Sequence, residues 1–145
     1  MFAFSTRLQM RVLRSVIGVF SGHSSSYLRL AHLLQTEGCH EEAYSLLVEV
    51  VSLFPDDARG HAALGRTLAS LGRLSDATVV LSRARRIEPH NAKTAFSLGN
   101  AYLEADQIDE AVSAYEAATY LRPRYTRALF NLGHALKEKG DLLGA

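Results

Sequence analysis

The chain has 145 residues, with 16 basic against 15 acidic side chains and a formal net charge of +1. That length is one domain or part of one, and the balanced charge disfavours a nucleic-acid binder or an acidic tail. One cysteine, Cys39, excludes an internal disulfide framework and points to a reducing compartment, the cytoplasm.

Residues 1–23 form a basic amphipathic segment. Arg7, Arg11 and Arg14 all precede the first acid, Glu37. On a helix the three arginines share one side, while Leu8, Val12, Val16, Ile17, Val19 and Phe20 spread over the other. An arginine-rich, serine-bearing, acid-free stretch has the composition of a mitochondrial transit segment. A secretory signal fits less well because Arg14 interrupts the apolar run, and a membrane span needs about 20 apolar residues. The rest of the chain supplies a second reading. Pro55, Pro89 and Pro123 stand 34 residues apart. One such step back from Leu46, Leu47, Val50, Val51 and Leu53 reaches Val12, Leu13, Val16, Ile17 and Val19, all apolar. Arg7 to Phe20 then reads as the second helix of an incomplete upstream repeat, capped by Ser5 or Thr6. The residues leave both readings open, with a helix lying on a membrane surface as a third.

The same period divides residues 24–145 into units 24–57, 58–91 and 92–125 and a truncated unit 126–145. Leu30, Leu64, Leu98 and Leu132 form one column, followed by Ala31, Gly65, Gly99 and Gly133. Leu34, Leu68, Tyr102 and Leu136 form another, and Ala43, Ala77, Ala111 and Ala145 a fourth. Each unit reads as two helices. In the second, Leu64, Leu68 and Leu71 share one face, and after Gly72 a new apolar set begins at Ala77. Gly38, Gly72 and Gly140 mark the turn between the two helices, with Asp106 in that column in the third unit. The last predicted helix therefore runs from about Thr126 to Lys139. Second helices open with acids (Glu41-Glu42, Asp76, Asp109-Glu110), which suit the positive end of the helix dipole. They close before each proline, and Asp57 and Asn91 are placed to cap the next helix.

These columns resemble the tetratricopeptide repeat, whose pattern is aromatic-x2-Leu-Gly-x2-Tyr, then Ala-x3-Phe, then Pro. Tyr27, Leu30, Ala31 and Leu34 lead to Ala43, Leu47 and Pro55. His61, Leu64, Gly65 and Leu68 lead to Ala77, Leu81 and Pro89. Ala95, Leu98, Gly99 and Tyr102 lead to Ala111, Tyr115 and Pro123. Leu129, Leu132, Gly133 and Leu136 repeat the first half before Ala145. No tryptophan occurs, and His61 and Ala95 replace the first aromatic. The resemblance covers Ser24 to Ala145. It implies an all-α, right-handed α-solenoid of helix-turn-helix repeats, and a chain that stops within a longer array.

No catalytic, metal or cofactor motif is expected. His40-Glu41-Glu42-Ala43-Tyr44 lacks the second histidine of a zinc pair, and the histidines are scattered over different repeats. The resemblance implies instead a non-catalytic protein-binding scaffold, in which the first helix of each repeat lines a concave groove that grips an extended peptide. By register the lining columns are Ser25, Arg59, Lys93 and Arg127, then Arg29, Ala63, Ser97 and Asn131, then His32, Arg66, Asn100 and His134. The groove candidates are Arg29, His32, Arg59, Arg66, Lys93, Ser97, Asn100, Arg127, Asn131 and His134. Five of these are cations and none is an acid, so the expected ligand is an acidic peptide held by charge-assisted bonds. Chaperone-binding members use a carboxylate clamp. Asn100 and Asn131 match two of its positions, but Phe96 replaces its lysine, so chaperone-tail binding is not expected. The alternatives are the repeat array of a larger enzyme, such as a glycosyltransferase, and a module that self-associates through its open ends. The packing columns carry their own test: Ala111→Leu overfills a helix crossing and lowers unfolding free energy by about 1–3 kcal/mol in urea titrations.

Overall fold

In a computed structural model, the described residues are Arg11, Val12, Ser15 and residues 23–144, without the side chains of 142 and 143. Arg11, Val12 and Ser15 have helical backbone. The remainder of the proposed half-repeat helix Arg7 to Phe20 lies outside the described residues, as does Ala145. Among the described residues there are seven further helices and no strand. We number them α1 (Ser24–Thr36), α2 (His40–Leu53), α3 (Ala58–Ser70), α4 (Leu74–Ile87), α5 (Ala92–Glu104), α6 (Ile108–Leu121) and α7 (Thr126–Gly144).

Every helix packs on its chain neighbours, and α1, α3 and α5 also touch one another in sequence. This is the α-solenoid. First helices form one layer and second helices the other, with the core between them.

The turns inside the helix pairs share one geometry. Gly38, Gly72 and Asp106 have φ of 76°, 77° and 60°. The next residue then donates back over the turn, Cys39 N to Leu34 O at 2.8 Å, Arg73 N to Leu68 O at 2.9 Å and Gln107 N to Tyr102 O at 2.9 Å. This is the Schellman closure, which satisfies carbonyls that the helix end would leave bare. At the other junctions Asp57 accepts from Arg59 N at 3.0 Å and Asn91 Oδ1 accepts from Thr94 N at 3.2 Å, the two expected caps.

Close helix approach depends on the glycine column. A Cβ at Gly99 would lie 2.6 Å from Cε1 of Tyr115, and one at Gly65 would overlap the Leu81 side chain. Leu81 and Tyr115 come from the second helix of each pair and are wholly buried, as are Ala77 and Ala111 below them. His61, which replaces an aromatic, is buried, and its Nε2 lies 2.8 Å from the Pro55 carbonyl oxygen. The ring fills the aromatic slot while its polar atom satisfies the loop. At the third unit the ring next to Ala95 is Phe96, with its centroid 5.0 Å from that of Tyr125.

The fourth turn differs from expectation. α7 does not stop near Lys139 but continues through Gly140 to Gly144. At Gly38 and Gly72 the left-handed turn is held in place by the helix that comes next and docks. Among the described residues no helix docks after Gly140, so extending the existing hydrogen-bond ladder costs least. Gly133 is correspondingly open: a Cβ there meets nothing within 4 Å.

One substitution should therefore have opposite effects at two positions of one column. Gly99→Ala forces the Tyr115 ring aside and costs about 1–3 kcal/mol. Gly133→Ala gains helix propensity without a clash and stabilises by about 0.5–1 kcal/mol. Urea unfolding monitored by circular dichroism checks both signs.

Candidate functional site

Clefts open between successive first helices, and some of the column residues line them. Between α1 and α3 lies a cleft of about 850 Å³ whose walls include Ser25, Arg29, His32, Arg59, Ala63 and Arg66. Between α3 and α5 a smaller cleft of about 340 Å³ is lined by Arg66, Ser70, Ser97, Asn100 and Glu104. The structure thus gathers Arg29, His32, Arg59 and Arg66 in one place and brings Ser97 and Asn100 to the other side of Arg66. Lys93, Arg127 and His134 line neither cleft.

The cations are not equivalent. Arg59 Nη2 lies 2.8 Å from Asp57 Oδ2, its Nε donates to Asp57 Oδ1 at 3.0 Å, and Nη2 also donates to Ser24 Oγ at 3.0 Å. Hydrogen bonding from Arg59 holds the Asp57 carboxyl down to about 2, against partial burial that pushes it up, and with help from the Ser24 hydroxyl. Composition by column made Arg59 a free groove cation. In the structure Arg59 lines the cleft as a paired cation, because Asp57 both caps α3 and binds its guanidinium. The Asp-x-Arg spacing at a helix start was the available signal. Arg127 sits 5.3 Å from the centroid of the Phe96 ring, a cation–π contact. His134 Nδ1 is 3.6 Å from Glu138 Oε1. Arg29 and Lys93 are exposed to water.

Toward α7 the groove floor is a hydrogen-bond network. Tyr115 reaches from α6, donating its hydroxyl to Asn100 Oδ1 at 2.6 Å, and Asn131 Nδ2 donates to the same oxygen at 2.9 Å. Burial pushes the Tyr115 phenol up to about 12 despite its contact with Asn131, and Glu104 adds to the rise. A neutral tyrosine is therefore fixed there. The sequence places Tyr115 in the core column; its ring is wholly buried there, and its hydroxyl reaches Asn100 on the first-helix layer. The pattern does put Asn100 and Tyr115 opposite each other across Gly99.

A further cleft of about 760 Å³ lies on the outer layer, with Arg85 and Arg86 of α4 facing Asp109 and Glu110 of α6 over Tyr102. Its charges are of both signs, and Lys139 Nζ already pairs with Asp109 at 2.9 Å. Among the described residues no group of His, Cys, Asp or Glu could hold a metal ion, and no helix is long and apolar enough to cross a membrane.

Residues 34–93 match the family model for the tetratricopeptide repeat, and residues 99–140 match a second one described as TPR repeat. No curated protein matches the chain. Similar solved structures include a MamA from Desulfovibrio magneticus RS-1, with TM-score 0.84 at 21% identity, covering 94% of this chain and 77% of that one. The first TPR of Spaghetti (RPAP3), bound to the HSP90 peptide SRMEEVD, gives TM-score 0.78 at 15% identity, covering 81% and 93%. A mutant O-GlcNAc transferase from Thermobaculum terrenum gives TM-score 0.74 at 27% identity over 78% of this chain but only 22% of the transferase.

The Asp57–Arg59 pair makes a pH prediction. A carboxyl depressed from 3.8 to about 2 in the folded state contributes stability that is complete above pH 4 and lost as pH falls through about 2. Asp57→Asn should therefore flatten this part of the acid profile when urea midpoints of variant and parent are compared between those two values.

Proposed function

Because this chain belongs to the tetratricopeptide repeat family, we propose that it is a non-catalytic scaffold holding an extended, acidic peptide segment in its concave groove. The repeats are those of residues 24–57, 58–91 and 92–125, with a partial fourth from 126. The observation that carries the reading is the α1–α3 cleft. Among the described residues its lining includes Arg29, Arg59, Arg66 and His32 and no carboxylate. Ser97, Asn100 and Asn131 extend the surface with groups able to bond a peptide backbone, and Lys93, Arg127 and His134 add positive or titratable charge along its edge. The reading needs neither cofactor nor metal. The same repeat fold carries a peptide in the Spaghetti structure, which supports a peptide as the class of partner. A lone, half-buried thiol at Cys39 suits a reducing compartment. We therefore place the module in the cytoplasm, with a mitochondrial address as the alternative if residues 1–23 are a transit segment.

A second reading rests on the match to the transferase: the chain would be the repeat array of a larger enzyme. A reading frame that continues past Ala145 into a catalytic domain supports that version, and a stop codon removes it. Self-association through the uncovered face of α7, where Phe130 is 75% exposed, is a third reading. Light scattering over a concentration series detects it.

The groove reading is tested by charge reversal. Arg29→Glu with Lys93→Glu should weaken capture of acidic partners by about tenfold or more, since like charges across an interface cost several kcal/mol. The parent's binding should also fall with added salt. Partners recovered equally by affinity purification on parent and variant would refute the groove as the binding surface.

A further inference from the structure

Among the cations of the groove, Arg66 is the exception. Arg59 is held by Asp57 and Ser24, Arg127 lies on Phe96, and Arg29 and Lys93 stand in water. Arg66 is half-buried on α3, lines both clefts, and its side chain has no hydrogen-bond or ion-pair partner among the described residues. Burial pushes its guanidinium below the ordinary value, yet an arginine stays charged in a protein. Desolvating such a charge without a partner is costly, and an arriving anion offsets that cost through a forked, charge-assisted bond.

The repeat register explains why Arg66 has no partner. One period on, the same column holds Asn100, which the Tyr115 hydroxyl satisfies. The residue opposite Arg66 is Leu81, which lines the same cleft and has no polar atom. The surroundings differ on the two sides. Toward α1 the cleft wall sets Leu28 and Leu33 beside Ser25, Arg29, His32 and Gln35, and apolar surface is still its larger part. Toward α5 it holds Ser97, Asn100 and Glu104. Glu104 repels a second carboxylate there, and the charge of Arg59 on the other side is already spent on Asp57.

We infer that the groove reads one carboxylate, seated at Arg66, flanked on the α1 side by an apolar side chain, and does not read an acidic run. The inference rests on the groove being the peptide site, as proposed above. A side-chain carboxylate and a free C-terminus offer the same chemistry.

The test selects a phage-displayed random peptide library on the full chain and measures synthetic versions of the selected peptides by calorimetry. The selected peptides should carry a single Asp or Glu, or a free C-terminus, beside an aliphatic or aromatic residue. Replacing that acid by its amide, or amidating the terminus, distinguishes the two sources and weakens binding to the parent by about 10- to 100-fold. On Arg66→Gln the same exchange should cost nothing, which is the coupling expected of directly interacting groups. Arg83→Gln, which removes an exposed cation of α4 outside the groove clefts, should stay within about threefold of the parent. Arg66→Gln should melt no lower than the parent, because it removes a desolvated charge. Retained acid-over-amide discrimination in Arg66→Gln overturns the inference, as does a preference for acidic runs. If Arg29→Glu with Lys93→Glu weakens binding while Arg66→Gln does not, only the inference falls. If no selected peptide responds to either variant, the groove reading falls with it.

Discussion

The structure depends on how closely two helix backbones approach at Gly65 and Gly99. Each glycine is the floor of a notch into which the second helix inserts one large side chain, Leu81 or Tyr115. Dispersion contacts around these fully buried residues then hold the pair together. The spacing so fixed propagates outward. It sets where Ala77 and Ala111 must be small, where the left-handed turns fall, and how far apart successive first helices stand. The clefts between those first helices are therefore a by-product of the packing inside each pair.

Most of this arrangement is legible in the residues because it is periodic. A 34-residue step repeats the notch, the turn and the cap often enough that a single departure, such as His61 or Asp106, does not hide the pattern. What escapes is whatever the period does not constrain. Gly140 occupies a turn column, yet its conformation depends on a helix that would have to dock after it, and sequence columns do not register that dependence. Asp57 and Arg59 belong to different columns, so counting charge by column missed that one neutralises the other. Tyr115 counts as core by register, but its hydroxyl extends beyond the core to Asn100.

The groove charges show the same division. Column arithmetic gives a row of cations and no acid. Geometry gives a paired arginine, an arginine on a ring, two solvated cations and one desolvated guanidinium. Only the last is short of a partner, since solvated charges are stabilised by water and screened by salt. On the inference drawn above, selectivity in this groove follows the cation the fold fails to satisfy more than the number of cations present.

Tyr115 links the two layers in a way that has an optical consequence. The chain contains no tryptophan, so its intrinsic emission comes from tyrosine alone. The Tyr115 phenol is packed in the core at one end and hydrogen-bonded to the groove floor at the other. Occupancy that disturbs Asn100 or Asn131 changes the environment of a chromophore the protein already possesses, and the concave face can be followed in solution without a label.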